Sequence, residues 1–135
     1  MPDFAQDSGL SLHHVQLARP AGGEEEARRF YRGLVGLTQG ETPPVLGGRG
    51  GGWFRGPALE VHLGVEREFR AARKAHPGLL TDSLDELAGR LVKGWVGAAW
   101  DADFPGFRRF YAHDPCGNRR EFLQLDASDH RSDGA

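Results

Sequence analysis

Cysteine is almost absent: Cys116 is the only one, so no disulfide can form within the chain, and a reducing cytoplasm is the expected setting. A basic excess is also missing. The 17 Lys and Arg are balanced by 19 Asp and Glu, for a formal net charge of −2. That argues against a dedicated nucleic-acid binder or a protein that adheres to anionic membranes. No apolar run approaches the roughly 18 residues needed to span a bilayer. The first residues carry Asp3 and Asp7 and lack the basic-then-apolar pattern of an export signal. What remains is a 135-residue chain that can bury a sizeable core as one domain. It holds 20 glycines, about twice the ordinary share of roughly 7%.

Those glycines are spread along the chain, apart from a knot at Gly47-Gly48-Arg49-Gly50-Gly51-Gly52. The flanking segments are too well patterned for disorder. From Leu12 to Ala18 apolar and polar residues alternate, as in a strand. After Pro20-Ala21-Gly22-Gly23 the period becomes helical, with Ala27, Phe30, Tyr31, Leu34 and Val35 on one side and Glu24, Glu25 and Glu26 at the start. Negative charge is favoured there by the helix dipole, and Gly36 suits the exit. A weak strand near Leu37–Thr42, a short one at Trp53-Phe54 and an alternating one over Leu59–Val65 follow.

The same order then recurs. Ala75–Leu80 reads as a strand, and Ser83-Leu84-Asp85-Glu86 reads as a capping box. Leu84, Leu87, Ala88, Leu91 and Val92 form an apolar stripe that Gly94 closes. Trp95–Trp100, Arg109–His113 and Arg120–Leu125 complete three strands, the last two joined by Asp114-Pro115-Cys116-Gly117-Asn118. The expected architecture is α+β: two β-α-β-β-β modules, residues 11–66 and 73–126, with paired curved mixed sheets enclosing a cavity. The basic stretch Arg67–Lys74 is expected to be a solvated linker, and residues 127–135 a frayed tail. Pro77 cannot donate to a central ladder, so its strand should lie at an edge or bend. The aromatics Trp53, Phe54, Trp95 and Trp100 are expected mainly in the core and on sheet faces.

Four polar residues repeat with the modules. His14 and His76 stand in the first strands, and Glu60 and Glu121 in the last. Glu60 lies 46 positions after His14, and Glu121 lies 45 after His76. If the sheets pair across a pseudo-twofold axis, all four converge. Neutral imidazoles and carboxylates are the donor set for Zn²⁺, Fe²⁺, Mn²⁺ or Ni²⁺. Each has a plainer reading: His14 as a hydrogen-bonded cleft histidine, His76 as a strand-end residue before proline, Glu60 as an exposed acid. Glu121 would instead pair with Arg119 or Arg120. His113 reads as a local hydrogen-bonding residue, and His13 as structural on the helix side. Cys116 carries no sign of a lowered pKa.

Leu12-His13-His14-Val15-Gln16-Leu17-Ala18, followed by Ala27-Arg28-Arg29-Phe30-Tyr31-Arg32-Gly33-Leu34-Val35-Gly36-Leu37, resembles the opening of the glyoxalase/bleomycin-resistance/dioxygenase superfamily, the vicinal oxygen chelate proteins. Phe110 through Phe122 is similar to its closing hairpin. The resemblance covers roughly residues 11–126. It implies a divalent metal (Zn, Ni, Mn or Fe) on His14, His76 and Glu121, with Glu60 as a fourth ligand and His62 as its rival or a general base. Glu60 and His62 are the implied catalytic pair. It further implies a small-molecule substrate chelated through vicinal oxygens, lyase/isomerase or dioxygenase chemistry, and a homodimer whose ligands can come from both subunits. The competing expectation is a metal-free binding protein that sequesters a drug or metabolite, as bleomycin-resistance members do.

Overall fold

A computed structural model describes residues 8–41 and 52–126. Its elements run β1 (Val15–Arg19), α1 (Glu24–Arg28) continuing as a π-helix (Arg29–Leu34), β2 (Thr38–Gly40), β3 (Gly52–Gly56) and β4 (Leu59–Val65). After the linker come β5 (Gly78–Leu80), α2 (Leu84–Lys93), β6 (Ala99–Asp101), β7 (Phe107–His113) and β8 (Arg119–Leu125). The expected α+β fold with its repeated order is what is found: two four-stranded mixed sheets, β1-β4-β3-β2 and β5-β8-β7-β6. In each sheet the first strand pairs parallel to the last, and the other pairings are antiparallel. The Gly47–Gly52 knot lies outside the described residues except for Gly52, which opens β3.

One apolar cluster holds both halves together. Phe54, Val61 and Leu63 from the first sheet meet Phe110, Ala112 and Phe122 from the second, with Ala27, Phe30, Tyr31, Leu84, Leu87, Ala88 and Leu91 from the helices. Burying each large side chain stabilises the fold by about 1.5–3 kcal/mol before entropy is counted. Because side chains alternate along a strand, the opposite faces of both sheets are left without helices. His14, Glu60, His62, Glu121 and Tyr111 belong to those open faces.

The first helix widens after one turn. Val35 N–H donates to Phe30 O at 2.8 Å and Leu37 N–H to Tyr31 O at 2.9 Å. The wider turn keeps the neighbours Phe30 and Tyr31 both inside the core. Gly36 then turns the chain out of the helix with a φ of +92°, a region open to glycine.

Tyr31 meets a buried polar hub in the second half. Its hydroxyl donates to Asp114 Oδ2 at 2.7 Å, and Arg120 donates to the same oxygen at 3.0 Å and to the tyrosine hydroxyl. Asp114 also accepts from the backbone N–H groups of Cys116 and Asn118, each at 2.9 Å. Asn118 Nδ2 reaches back to Ala18 O at 2.8 Å. The Asp-Pro-Cys-Gly-Asn turn therefore ties the two sheets together.

Several local expectations are corrected. β1 begins at Val15 and β5 at Gly78, so His14 and His76 stand just ahead of their strands. Pro77 precedes the edge strand β5, and its carbonyl accepts from Glu121 N–H at 3.1 Å. The Ser83 side chain makes no capping bond; Gln124 Oε1 on β8 accepts from Leu84 N–H at 3.1 Å instead. A tertiary partner has replaced the local cap. Val92 is 59% exposed, at the edge of the apolar stripe. Trp95 is not core: it is 94% exposed and takes a φ of +69° directly after Gly94. Trp100 is half exposed, whereas Phe54 is buried.

Candidate functional site

The open face of the first sheet gathers three candidate residues. The parallel register sets Val15 beside Val61 and Gln16 beside His62, which brings His14 next to Glu60 at the sheet margin. The His62 ring lies between two others: Trp53 at 4.1 Å and 4° on one side, His14 at 4.1 Å and 14° on the other. The antiparallel register pairs Trp53 with His62 and so builds the stack. His62 Nε2 is 3.1 Å from Glu60 Oε1. That hydrogen bond is the main cause holding the Glu60 carboxyl below its ordinary pKa, with Arg55 adding to it. His13 is exposed rather than on the helix side, its Nδ1 2.9 Å from Nδ1 of His14.

The second sheet holds the other two candidates. His76 Nε2 lies 2.7 Å from Glu121 Oε1, and His76 Nδ1 lies 2.8 Å from Lys74 O. A carbonyl oxygen carries no hydrogen, so Nδ1 is the donor in that contact. Nε2 of a protonated ring then donates to Glu121, whereas a neutral ring turns a lone pair on Nε2 towards the carboxylate oxygen. Two acceptors at 2.7 Å need a cation between them, a proton or a metal ion. A histidine anchored through its other nitrogen to a backbone carbonyl is the usual arrangement of a metal ligand. The donor set fits a divalent metal.

Glu121 is buried. Burial pulls its carboxyl pKa upward, but hydrogen bonds from Arg109 and His76 outweigh this and hold it below the ordinary value. Its ion-pair partner is Arg109, not Arg119 or Arg120: Arg109 Nη1 donates to Oε2 at 2.9 Å. Arg109 also donates to Asp101 Oδ1 through Nε at 3.2 Å and Nη2 at 3.0 Å. Sequence reasoning missed Arg109. The signal was its place in the strand beside Glu121, two residues before Tyr111, which faces Glu121 directly.

Within one chain the four candidates form two separate pairs. Among the described residues, no group of three or more His, Cys, Asp or Glu is placed to hold a metal ion. The helix-bearing sides of the two sheets share the core, so the open faces are not turned onto each other. A shallow groove of about 670 Å³ lies elsewhere, between α1 and the β6–β7 margin, lined by residues that include Phe30, Trp95, Tyr111 and His113. His113 is exposed there. Burial pushes the Cys116 thiol pKa up, the direction of an unreactive thiol. No described helix is long and apolar enough to cross a membrane.

No family model matches the sequence, and no curated protein matches it either. Solved structures do. A glyoxalase family protein from Bacillus anthracis is 39% identical, covers 93% of this chain and 100% of its own, and superposes with a TM-score of 0.83. A lactoylglutathione lyase from Agrobacterium tumefaciens is 20% identical, over 84% of this chain and 92% of its own, with a TM-score of 0.65. An antibiotic binding protein from Streptomyces is 23% identical, over 87% of this chain and 99% of its own, with a TM-score of 0.63. The last two share the fold; the first, with the repeated module order, shows that the chain belongs to the glyoxalase family of the vicinal oxygen chelate superfamily.

Proposed function

We propose that the protein is a divalent-metal-dependent enzyme acting on a small molecule chelated through vicinal oxygens, a lyase/isomerase or a dioxygenase. The observation that carries this reading is the His76–Glu121 pair, with Nδ1 of His76 anchored on Lys74 O and Nε2 facing Oε1. His14, His76, Glu121 and Glu60 would hold the metal. When bound, the ion would act as a Lewis acid for negative charge developing on a substrate oxygen. His62 would carry the proton: its Nε2 reaches Glu60, and Trp53 and His14 fix the ring plane. Arg109 would keep Glu121 ionised and oriented.

The centre would be completed by a second copy of the chain. Three observations support this. The four ligands form two separated pairs, and the open faces point away from the shared core. The second open face also exposes Leu80 and Leu125, at 74% and 52%, the kind of apolar exposure that a partner covers. In a twofold dimer, the first sheet of one copy lies against the second sheet of the other, which assembles two equivalent centres.

The Trp53–His62–His14 stack favours a second reading, a metal-free protein that binds a planar drug or metabolite by stacking. One fold neighbour is described as an antibiotic binding protein. Metal titration separates the two. Metal-stripped protein titrated with Zn²⁺, Mn²⁺, Ni²⁺ or anaerobic Fe²⁺ should take up one ion per chain. No uptake of any of them would overturn the enzyme reading and leave the binding protein.

A further inference from the structure

Four arginines lie on β7 and β8, and three of them are ion-paired with an acid. Arg108 forks onto Asp85 with contacts of 3.0 and 2.9 Å. Arg120 is buried on the helix side with Asp114 and Tyr31. Arg109 bridges Asp101 and Glu121. Arg119 differs. Its guanidinium carbon lies 4.0 Å from the centre of the Tyr111 ring, and its guanidinium makes no hydrogen bond or ion pair with any described residue.

The surrounding acids do not offer it one. Asp101 accepts from Arg109 and from Asp103 N–H at 2.8 Å, all through Oδ1, and interacts with Arg119 through charge without a hydrogen bond. Both oxygens of Glu121 are taken, one by His76 and one by Arg109. Arg119 therefore places a guanidinium without a hydrogen-bonding partner among the described residues on the same strand face as Glu121 and two residues away, with Asp101 acting on it only through charge. A guanidinium stacked on a ring has its donors pointing out around its edge. The stack also fixes the side chain in advance, so less freedom is lost when a partner arrives.

We propose that Arg119, laid on Tyr111, is a specificity residue that recognises a carboxylate or phosphate group carried by the substrate in addition to its chelating oxygens. A planar fork with free donors is suited to bidentate recognition of either anion. Arg109 is a poorer candidate, because each of its three nitrogens already donates to Asp101 or Glu121. The position relative to the reacting centre rests on the metal-enzyme reading; the anion site itself does not.

The test has two arms. In metal-free protein at low ionic strength, inorganic phosphate is titrated while the backbone amide signals of Tyr111, Glu121 and position 119 are followed by NMR. A saturable shift is expected, weakened in Arg119→Lys, abolished in Arg119→Gln, and unchanged in the exposed control Arg70→Gln. Failure to saturate, or the same phosphate affinity in Arg119→Gln, would overturn the proposal. In Mn²⁺-loaded protein, lactate is compared by calorimetry with malate and 3-phosphoglycerate, which add a carboxylate or a phosphate to the same 2-hydroxy acid. One or both should bind about tenfold more tightly than lactate, a preference lost in Arg119→Gln while lactate affinity is kept. The arm that is preferred identifies the anion. Equal affinity for all three in the wild-type protein would overturn the role in selectivity. Failure to take up Mn²⁺ would count against the metal-enzyme reading alone, and the phosphate titration would then decide the anion site.

Discussion

The hydroxyl of Tyr31 lies 2.7 Å from Oδ2 of Asp114, joining the first helix to a turn 83 residues further along the chain. Burial raises the Tyr31 pKa well above its ordinary value. A raised folded-state pKa makes a contribution to stability that is complete below the unfolded value, near 10, and is lost as pH rises through the folded one. Alkaline unfolding of the wild type should therefore be steeper above pH ~10 than that of Tyr31→Phe. At neutral pH the same substitution leaves Asp114 and Arg120 short of a partner and should destabilise by about 1–3 kcal/mol. Urea melts across pH check both points.

Glu121 gives the opposite slope. Burial pulls its pKa up, yet Arg109 and His76 bring it below the ordinary value. Its stabilising contribution is thus complete above the ordinary glutamate pKa and is lost as pH falls through the lower folded value. In metal-free protein, Arg109→Ala should move the Glu121 carboxyl titration upward. A side-chain carboxyl NMR titration reads this directly.

The inward face of α2 sets a second contrast. Leu91 is fully buried whereas its neighbour Val92 is mostly exposed. Leu91→Ala should cost about 2–5 kcal/mol, and Val92→Ala should stay within about 0.5 kcal/mol. Ser83→Ala should be nearly neutral as well, since Gln124 supplies the cap. Denaturant unfolding distinguishes the three.

Glu60 and His62 are separable by metal affinity. Glu60→Ala removes a proposed ligand, whereas His62→Ala removes the group that hydrogen-bonds it. Loss of an outer partner typically costs about 10- to 100-fold in metal affinity. Glu60→Ala should lose more affinity than His62→Ala, and His62→Ala should lose turnover beyond its effect on metal uptake. Competition titration with a metallochromic chelator measures the first effect.

The repeated module order was legible because strand and helix periods are local properties. Val15 and Leu17, then Leu59, Val61, Leu63 and Val65, display them openly. The repeat singled out His76 and Glu121, which lie 2.7 Å apart, but the convergence of all four residues that it led one to expect is not found among the described residues of one chain. Tertiary choices were not legible. Gln124 replacing Ser83 as the cap, and Arg109 rather than Arg119 or Arg120 facing Glu121, depend on which strands pair and in what register. Trp95 was misjudged because hydrophobicity alone does not show that the chain reverses there with a positive φ. The separation of His14 and Glu60 from His76 and Glu121 depends on how two modules meet, which neither module encodes by itself.

A metal centre shared between two copies is the central claim, and subunit complementation tests it most directly. His14→Ala and Glu121→Ala chains should each fail to bind metal alone. Refolded together, they form mixed dimers in which one centre carries both substitutions and the other carries neither. Metal uptake should return to about a quarter of the wild-type value per chain, because half of the dimers are mixed and each has one intact centre. No recovery on mixing, or full metal binding by either variant alone, would contradict the account.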